Sequence, residues 1–339
     1  MNYKINYTIG GSKLNPNTNG ESKLNPNAKP FIPESSEKIF ISGPVNATYR
    51  SKDGKKIILL SDIHNTNNKC TQDNKLINEY LEEIFKQDKI TIDFFIELDW
   101  HIVKNGDLKD LKNKIKGSDY ISKLQRLALE YYNRNDKIRI HFSDVRTESG
   151  SLLSLNKPVT ELIRQVSAKD KNFNFLEIFT EMYHKYIAIL FEFHTMIYNY
   201  KNQIKDIDLT DVILKEEIVK LEKLIGRDKF TRILTIIHTS IKKLFDFIFN
   251  NNNIMTLDAF NYWGFYIIEP YTYIGELYTL ARLMKPKFNK IIIYEGRKHI
   301  EFLNNFLDVL EFKSNYKFDQ VSENCINVIP FENYLGQDL

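Results

Sequence analysis

The stretch KKIILLSDIHNTNNKC, residues Lys55–Cys70, places an apolar run directly before a carboxylate and an imidazole. The run is Ile57–Leu60, and Asp62 and His64 follow it two residues apart. A short apolar run bounded by polar residues is typical of a strand buried in a sheet. The stretch therefore predicts a buried strand that ends either in an ordinary surface turn or in an active site.

The composition of the 339-residue chain favours a folded protein without a nucleic-acid partner. Hydrophobic residues make up 42% of the chain and aromatic residues 13%, enough for the core of one large domain or two ordinary ones. The formal net charge is only +3, and Lys and Arg are scattered among Asp and Glu instead of clustering. The sequence contains no glycine-rich phosphate loop and no GxSxG motif, which argues against nucleotide binding and a serine nucleophile.

The cysteines and the apolar segments indicate the compartment. Cys70 and Cys325 are too few for a disulfide framework and form no CxxC pair, so a reducing compartment is expected. The N-terminus lacks the apolar core of a signal peptide. The most apolar helical run, Tyr186–Tyr198, is interrupted by Glu192 and His194, which favours a buried helix over a membrane span. We therefore expect a soluble, cytoplasmic protein.

The first 36 residues differ in composition from the rest of the chain. They are rich in Asn, Pro, Ser and Gly, and they contain the sequence SKLNPN twice, at Ser12–Asn17 and Ser22–Asn27. Such a composition is typical of a flexible segment that cannot bury a core. Residues 1–36 are predicted to be a flexible N-terminal arm, with partner binding as an alternative role.

Beyond the arm, apolar runs of strand length alternate with helical patterns. The strand-like runs are Lys38–Pro44, Lys55–Ser61, Ile92–Leu98, Lys137–Ser143 and Lys290–Gly296. Strands separated by helices predict an α/β fold with a mostly parallel sheet and flanking helices. Residues 37–150 would form the first part of this core and residues 286–339 the last part, with 325–330 as an edge strand. Residues 151–285 show only helical periodicity and predict a long all-helical insertion before the last main strand.

Four of these predicted strands end in charged or imidazole side chains. The groups are Asp62 and His64; Glu97, Asp99 and His101; Asp144 and Arg146; and Glu295, Arg297 and His299. Spacings of two residues place side chains on one face of an extended chain. Because ligands of open α/β sheets bind at the carboxyl ends of strands, these groups are expected to converge in one crevice. The alternative is that each group is the ordinary polar exit of a strand.

The residue types indicate water activation by imidazole and carboxylate groups. The predicted catalytic residues are His64, Glu97, Asp144, Arg146 and His299, and the predicted substrate-binding residues are Asp62, Asp99, His101, Glu295 and Arg297. A histidine would serve as general base, carboxylates would orient it, and an arginine would receive an oxyanion. The same donors suit a divalent metal, so metal-assisted and metal-free chemistry both fit, and the metal is not determined. A small molecule or a peptide is the expected substrate, and the sequence does not determine the oligomeric state.

Three sequence features together resemble one known group of proteins. Strand-SDIHN, the strand-end Glu97 and the late Gly296–His299 (GRKH) resemble the erythromycin esterase/ChaN/TraB–Tiki group. In that group a first His, a strand-end Glu and a late G-x-x-H recur, here matched by His64, Glu97 and His299. Asp62 stands where Glu is usual and Ser61 where Gly is usual. The resemblance implies an α/β fold and a pocket, in a group that includes esterases, proteases and a haem-binding lipoprotein.

The sequence also resembles two other groups of proteins. Asp62-x-His64 and the GDxxD at Gly106–Asp110 resemble calcineurin-like metallophosphoesterases, but the other motifs of that family are absent, so a phosphoesterase is less favoured. The segments FFIELD, IHFSDVR and IIIYEGRKH are similar to uncharacterised proteins of large DNA viruses. That likeness implies a protein of the host cytoplasm or the virion. It also supplies the alternative function, a catalytically inactive viral structural or host-interaction protein on the same fold.

Overall fold

The computed structural model defines most of the chain outside the N-terminal arm. The described residues are 38–63, 70–71, 74–87, 91–134, 136–144, 180, 183–184, 186–187, 212–250, 257–287, 289–322 and 324–336. The predicted arm, His64 and Arg146 lie outside these residues, and so does most of the segment 145–211.

One nine-stranded sheet organises the described part of the chain. Its strands are β1 (Ile39–Ser42), β2 (Asn46–Lys52), β3 (Lys55–Asp62), β4 (Lys75–Leu76), β5 (Ile92–Asp99), β6 (Ile138–Asp144), β7 (Lys290–Gly296), β8 (Lys313–Ser322) and β9 (Cys325–Val328). The spatial order is β4-β1-β9-β8-β2-β3-β7-β5-β6. The sheet is mixed, so the prediction of a mostly parallel sheet is wrong. The predicted edge strand at 325–330 corresponds to β9, which lies inside the sheet between β1 and β8.

Short connections explain the antiparallel part of the sheet. Lys52 pairs with Lys55 at the end of the β2–β3 hairpin, and the two turn residues, Asp53 and Gly54, have φ of 49° and 77°. Positive φ at both central residues is typical of the two-residue hairpin turn that matches strand twist. A parallel pair would instead need a crossover of a dozen residues or more. β2 therefore runs antiparallel to β3, and it also pairs antiparallel with β8.

The four strands that end in the predicted site residues are neighbours. β3, β7, β5 and β6 lie side by side and run parallel, so their carboxyl ends share one edge of the sheet. The register aligns Ser61 with Glu295 and Asp62 with Gly296. This register decides which side chains can meet.

Helices cover both faces of the sheet. They are α1 (Ile77–Phe85), α2 (Trp100–Asn105), α3 (Leu108–Lys114), α4 (Tyr120–Tyr131), α5 (Val212–Ile225), α6 (Arg227–Asn250), α7 (Leu257–Leu283), α8 (Arg297–Val309) and α9 (Phe331–Gly336). On one face, Leu59, Phe95 and Ile293 pack with α5 to α8; we call this the insertion face. On the opposite face, Leu60 and Tyr294 pack with α1, α4 and α9. The two-residue alternation of the strands divides the apolar residues between these two cores.

A buried ionic network fastens the helices of the insertion face to the sheet. Asp93 on β5 is 1% exposed and binds Arg139 at 2.6 Å and His141 at 2.9 Å. Arg282 of α7 approaches the other ring nitrogen of His141 at 3.5 Å. Burial lowers the pKa of His141, against the opposing influence of Asp93. The neutral imidazole thus lies between an acid on the sheet and a base on the helix.

Cys70 and Cys325 form a disulfide bond across 255 residues of sequence. The bond ties β9 to the residues that precede β4. Disulfides persist in oxidising surroundings, so this pairing runs against the expectation of a reducing compartment. Among the described residues, no helix is long and apolar enough to cross a membrane.

Candidate active site at the ends of the parallel strands

Three carboxylates and one imidazole meet on the insertion face. Glu97 follows Phe95 by two residues and Glu295 follows Ile293 by two, so both carboxylates point to the same side of the paired strands β5 and β7. His299 comes from the first turn of α8, which begins where β7 ends. The fourth member, Glu276, comes from α7. We call Glu97, Glu276, Glu295 and His299 the strand-end cluster.

The imidazole of His299 lies between two carboxylates. Its Nδ1 is 2.6 Å from Oε1 of Glu276, and its Nε2 is 3.5 Å from Oε1 of Glu97. Burial by itself would lower the pKa of His299, but the hydrogen bond with Glu276 and the charges of Glu97, Glu276 and Glu295 raise it to about 9. The ring is therefore an imidazolium at neutral pH. The His299 side chain is 22% exposed and that of Glu276 is 4% exposed, so the histidine is the solvent-facing member of this pair.

Glu295 is the most unusual member of the cluster. It is 1% exposed, and neither carboxylate oxygen makes a hydrogen bond of good geometry. Burial and the charge of Glu276 raise its pKa well above the usual range, although the charge of His299 and the Ser143 hydroxyl act in the opposite direction. Buried polar groups are nearly always paired, so an unpaired carboxylate here calls for an explanation.

The cluster contains three of the predicted site residues: Glu97, Glu295 and His299. Asp62 is not among them. Because Ser61 aligns with Glu295, Asp62 points to the opposite face, where it accepts a hydrogen bond of 2.6 Å from the Tyr294 hydroxyl. Two-residue spacing places Glu97 with Phe95 and Glu295 with Ile293, but it does not fix the register between strands, and the register shift between Ile96 and Asp99 breaks the spacing in β5.

The other predicted residues lie in different surroundings. Asp99 accepts a hydrogen bond from the backbone N–H of Ile102 at the start of α2, and its strand position pairs with Asp144. Asp144 is half-buried and follows Ser143, so the strand alternation turns it away from the insertion face. The exposed Arg297 forms an ion pair of 3.0 Å with Glu301. His101 lies in α2, and His64 and Arg146 lie outside the described residues.

Sequence reasoning missed Glu276. It lies in the helical insertion, on the segment PYTYIGELYTLARLM, where Arg282 is the only other charged residue. An isolated carboxylate on an apolar helix is the signal that was available, because such a side chain is expensive to bury without a partner. In the structure Glu276 is 3% exposed and faces His299.

A polar cleft of about 570 Å³ runs beside α8. It lies between that helix and the strands β2 and β8, and its lining includes Ser61, Tyr273, Arg297, Asn304, Asn305 and Lys317. Arg297 is two residues from His299, so one end of the cleft adjoins the turn that carries the cluster. Hydroxyl, amide and charged groups dominate its wall, which suits a polar ligand.

Comparison with known proteins yields one short match. A family model described as the Ataxin-2 C-terminal region (PAM2) matches residues 20–36, which lie outside the described residues. No curated protein and no solved structure matches the chain. The likeness of the motifs to the erythromycin esterase/ChaN/TraB–Tiki group stays a prediction.

Proposed function

We propose that the chain is a hydrolase in which the strand-end cluster activates a water molecule. The observation that carries this proposal is the unpaired, buried carboxylate of Glu295 beside His299 and two further carboxylates. Gathering three acids around one imidazole costs stability, since buried charges need balanced partners. Perturbed titratable groups of this kind concentrate at functional sites.

The cluster supplies both an acid and a base for hydrolysis. An ionised carboxylate takes one proton from water, and the resulting hydroxide adds to the scissile carbonyl carbon. The imidazolium of His299 gives its proton to the leaving group as the bond to that group breaks. The proton held by the carboxylate then returns to the imidazole, so the cluster ends in its starting state.

The charge of the cluster favours a neutral scissile group. Glu97 and Glu276 flank one imidazolium, and such surroundings repel the negative charge of a phosphoester. A carboxylic ester or an amide avoids this repulsion. The substrate would be a small molecule or a short peptide that reaches the exposed side of His299.

The test is a hydrolysis screen of the purified chain with ester, peptide and phosphoester substrates, run with and without added Mn²⁺ or Zn²⁺. We expect ester or amide turnover that falls at least about 100-fold in His299→Asn, because general acid–base groups contribute about that much. Glu83→Gln is the matched control, since Glu83 lies on α1 at the opposite face of the sheet and pairs with Lys75 at the surface. Turnover that is equal in both variants would show that the cluster is not the catalytic centre.

A second candidate function is partner binding through the N-terminal arm. The observation that favours it is the match of residues 20–36 to the Ataxin-2 C-terminal region. This segment, GESKLNPNAKPFIPESS, places Leu24 and Phe31 in a polar, proline-containing background, a composition typical of short peptides that dock on another protein. In this case the chain would act as an interaction protein, whether or not the strand-end cluster is active.

A competition experiment tests the second candidate. An immobilised peptide of residues 20–36 would be exposed to a cell lysate and then eluted with the corresponding Ataxin-2 peptide. We expect a protein that the Ataxin-2 peptide releases and that a Leu24→Ala, Phe31→Ala peptide fails to capture. A captured protein that the double-variant peptide also binds, or that the Ataxin-2 peptide does not release, would argue against a common partner.

A further inference from the structure

The donor atoms of Glu276, Glu295 and His299 lie close enough to share one ion. Each residue contributes one ligand-type atom, a carboxylate oxygen or a ring nitrogen, and these atoms are all within 4.8 Å of one another. Metal–ligand distances of about 2.0–2.2 Å place two donors of one ion up to about 4.4 Å apart. Three donors of one ion lie at most about 3.8 Å from one another, so side-chain adjustments of about 1 Å would bring all three to one centre.

Glu295 gives an independent reason to expect an ion. Its carboxylate is 1% exposed, both of its oxygens lack a hydrogen bond, and it lies against the other two donors. An acidic cluster alone is common and carries no such implication. A buried carboxylate without a partner has both oxygens available for coordination, and a bound cation would replace the interactions that it lost on leaving water.

Glu97 supplies the outer support that metal-binding histidines usually have. Its Oε1 is 3.5 Å from Nε2 of His299, and its Oε2 accepts a hydrogen bond of 3.1 Å from the backbone N–H of Gly296. A ligating imidazole almost always donates its second N–H to a carboxylate or carbonyl, which fixes the ring. Here Glu97 would hold Nε2–H and leave Nδ1 as the ligand atom that faces Glu276.

We propose that Glu276, Glu295 and His299 bind a divalent cation of the Mn²⁺ or Zn²⁺ class, with Glu97 orienting the imidazole. Two carboxylates and one imidazole suit these ions better than Mg²⁺ or Ca²⁺, which prefer oxygen ligands throughout. Three protein ligands leave a coordination position for water, and the bound ion lowers the pKa of that water. The inference rests on and deepens the proposed hydrolytic function, because it names the group that would activate the water. With the cation bound, His299 would be a neutral ligand instead of the proton donor, and the carboxylate that takes the proton of the water would pass it to the leaving group.

The binding test uses the full chain and the metals alone. The protein would be treated with a chelator, exchanged into metal-free buffer and titrated calorimetrically with MnCl₂, ZnCl₂ and MgCl₂. We expect one saturable site for Mn²⁺ or Zn²⁺ and weaker binding of Mg²⁺. Glu295→Gln and His299→Asn should lower the affinity at least 10-fold, while Glu83→Gln should leave it unchanged. Circular dichroism and thermal melting would confirm that each variant is folded.

The outcomes separate this inference from the proposed function. The absence of saturable binding, or binding that Glu295→Gln leaves intact, overturns the cation site. Hydrolysis that survives chelation but disappears in His299→Asn also overturns the cation site, while it supports the hydrolase. Saturable binding that depends on Glu295, without hydrolysis of any substrate in the screen, supports the cation site and overturns the hydrolase.

Discussion

The carboxylate of Glu97 accepts a hydrogen bond of 3.1 Å from the backbone N–H of Gly296, which joins two strand ends that are 199 residues apart in the sequence. Gly296 directly precedes α8, so the negative charge lies at the positive end of the helix dipole. The second oxygen of Glu97 faces the imidazole of His299. One side chain on β5 thus fixes the start of α8 and the orientation of the histidine that α8 carries.

Replacing Glu97 by Gln should lower the pKa of His299. The charge of Glu97 is one of the influences that raise this pKa to about 9, and the amide removes it. An NMR titration of the imidazole in chelator would measure the change, with Glu83→Gln as control. In a metal titration the same variant should bind about 10–100-fold more weakly, the usual cost of losing an outer-sphere partner. An unchanged His299 pKa in Glu97→Gln would contradict the assigned contact.

Replacing Asp62 by Ala should destabilise the protein without affecting the strand-end cluster. The Tyr294 hydroxyl is fully buried and donates to Asp62, so the variant would leave it without this acceptor at a cost of about 1–3 kcal/mol. Urea unfolding would measure that loss. Metal affinity and turnover should remain within about threefold of the wild type, because Asp62 lies on the other face of the sheet. If Asp62→Ala lost as much metal affinity as Glu295→Gln, the assignment of Asp62 to the face opposite the cluster would be wrong.

Part of this site could be predicted from the sequence, since local patterns determine it. The runs that end at Glu97 and Glu295 are apolar on both faces, as expected for strands buried between helical layers, and these strands are parallel neighbours. Two-residue alternation then places each carboxylate correctly relative to its own strand. Pairing Ser61 rather than Asp62 with Glu295 depends on contacts between distant segments, and periodicity within one strand does not report them.

The strand β2 and the site residue Glu276 were missed because their partners also lie far away in the sequence. The sequence of β2 is NATYRSK, and the sheet buries several of its polar residues. This strand therefore has no apolar run from which it could be predicted. Arg50 is buried there because Asn304, Asp308 and the carbonyl of Phe312 all accept its hydrogen bonds. Those partners come more than 250 residues later in the chain. Glu276 likewise gains its partner, His299, only when α7 packs against α8. Tertiary contacts therefore overruled local propensity in the antiparallel half of the sheet.

Reduction of the Cys70–Cys325 disulfide should lower thermal stability. The bond closes a loop of 255 residues, and removing a native disulfide typically costs about 2–4 kcal/mol through the greater freedom of the unfolded chain. Thermal melting with and without dithiothreitol would measure the effect. The Cys70→Ser, Cys325→Ser double variant should melt at the temperature of the reduced wild type and should not respond to reductant. A wild type that melts equally in both conditions would show that the bond contributes nothing to stability.

Lys55 should make stability depend on pH in the alkaline range. Its ammonium group is buried at the start of β3, where it donates to the backbone carbonyls of Leu283 and Lys285. Burial lowers its pKa from 10.5 to about 8, although the charge of Asp93 acts in the opposite direction. Between these two values the unfolded chain binds a proton that the folded chain does not. Stability must therefore rise as the pH increases through this window.

The variant Lys55→Met isolates this contribution. Below pH 8 both states of the wild type carry the charge, so the full burial cost, up to roughly 3 kcal/mol, is present; above the unfolded pKa it is gone. The free energy of unfolding of the wild type minus that of Lys55→Met should therefore increase from pH 7 to pH 10 in urea titrations. Lys242→Met, on an exposed face of α6, controls for the loss of one lysine from the chain. If this difference in the free energy of unfolding stays constant or falls from pH 7 to pH 10, the folded protein holds Lys55 charged at no cost. The carbonyls of Leu283 and Lys285 would then solvate the ammonium group as well as water does.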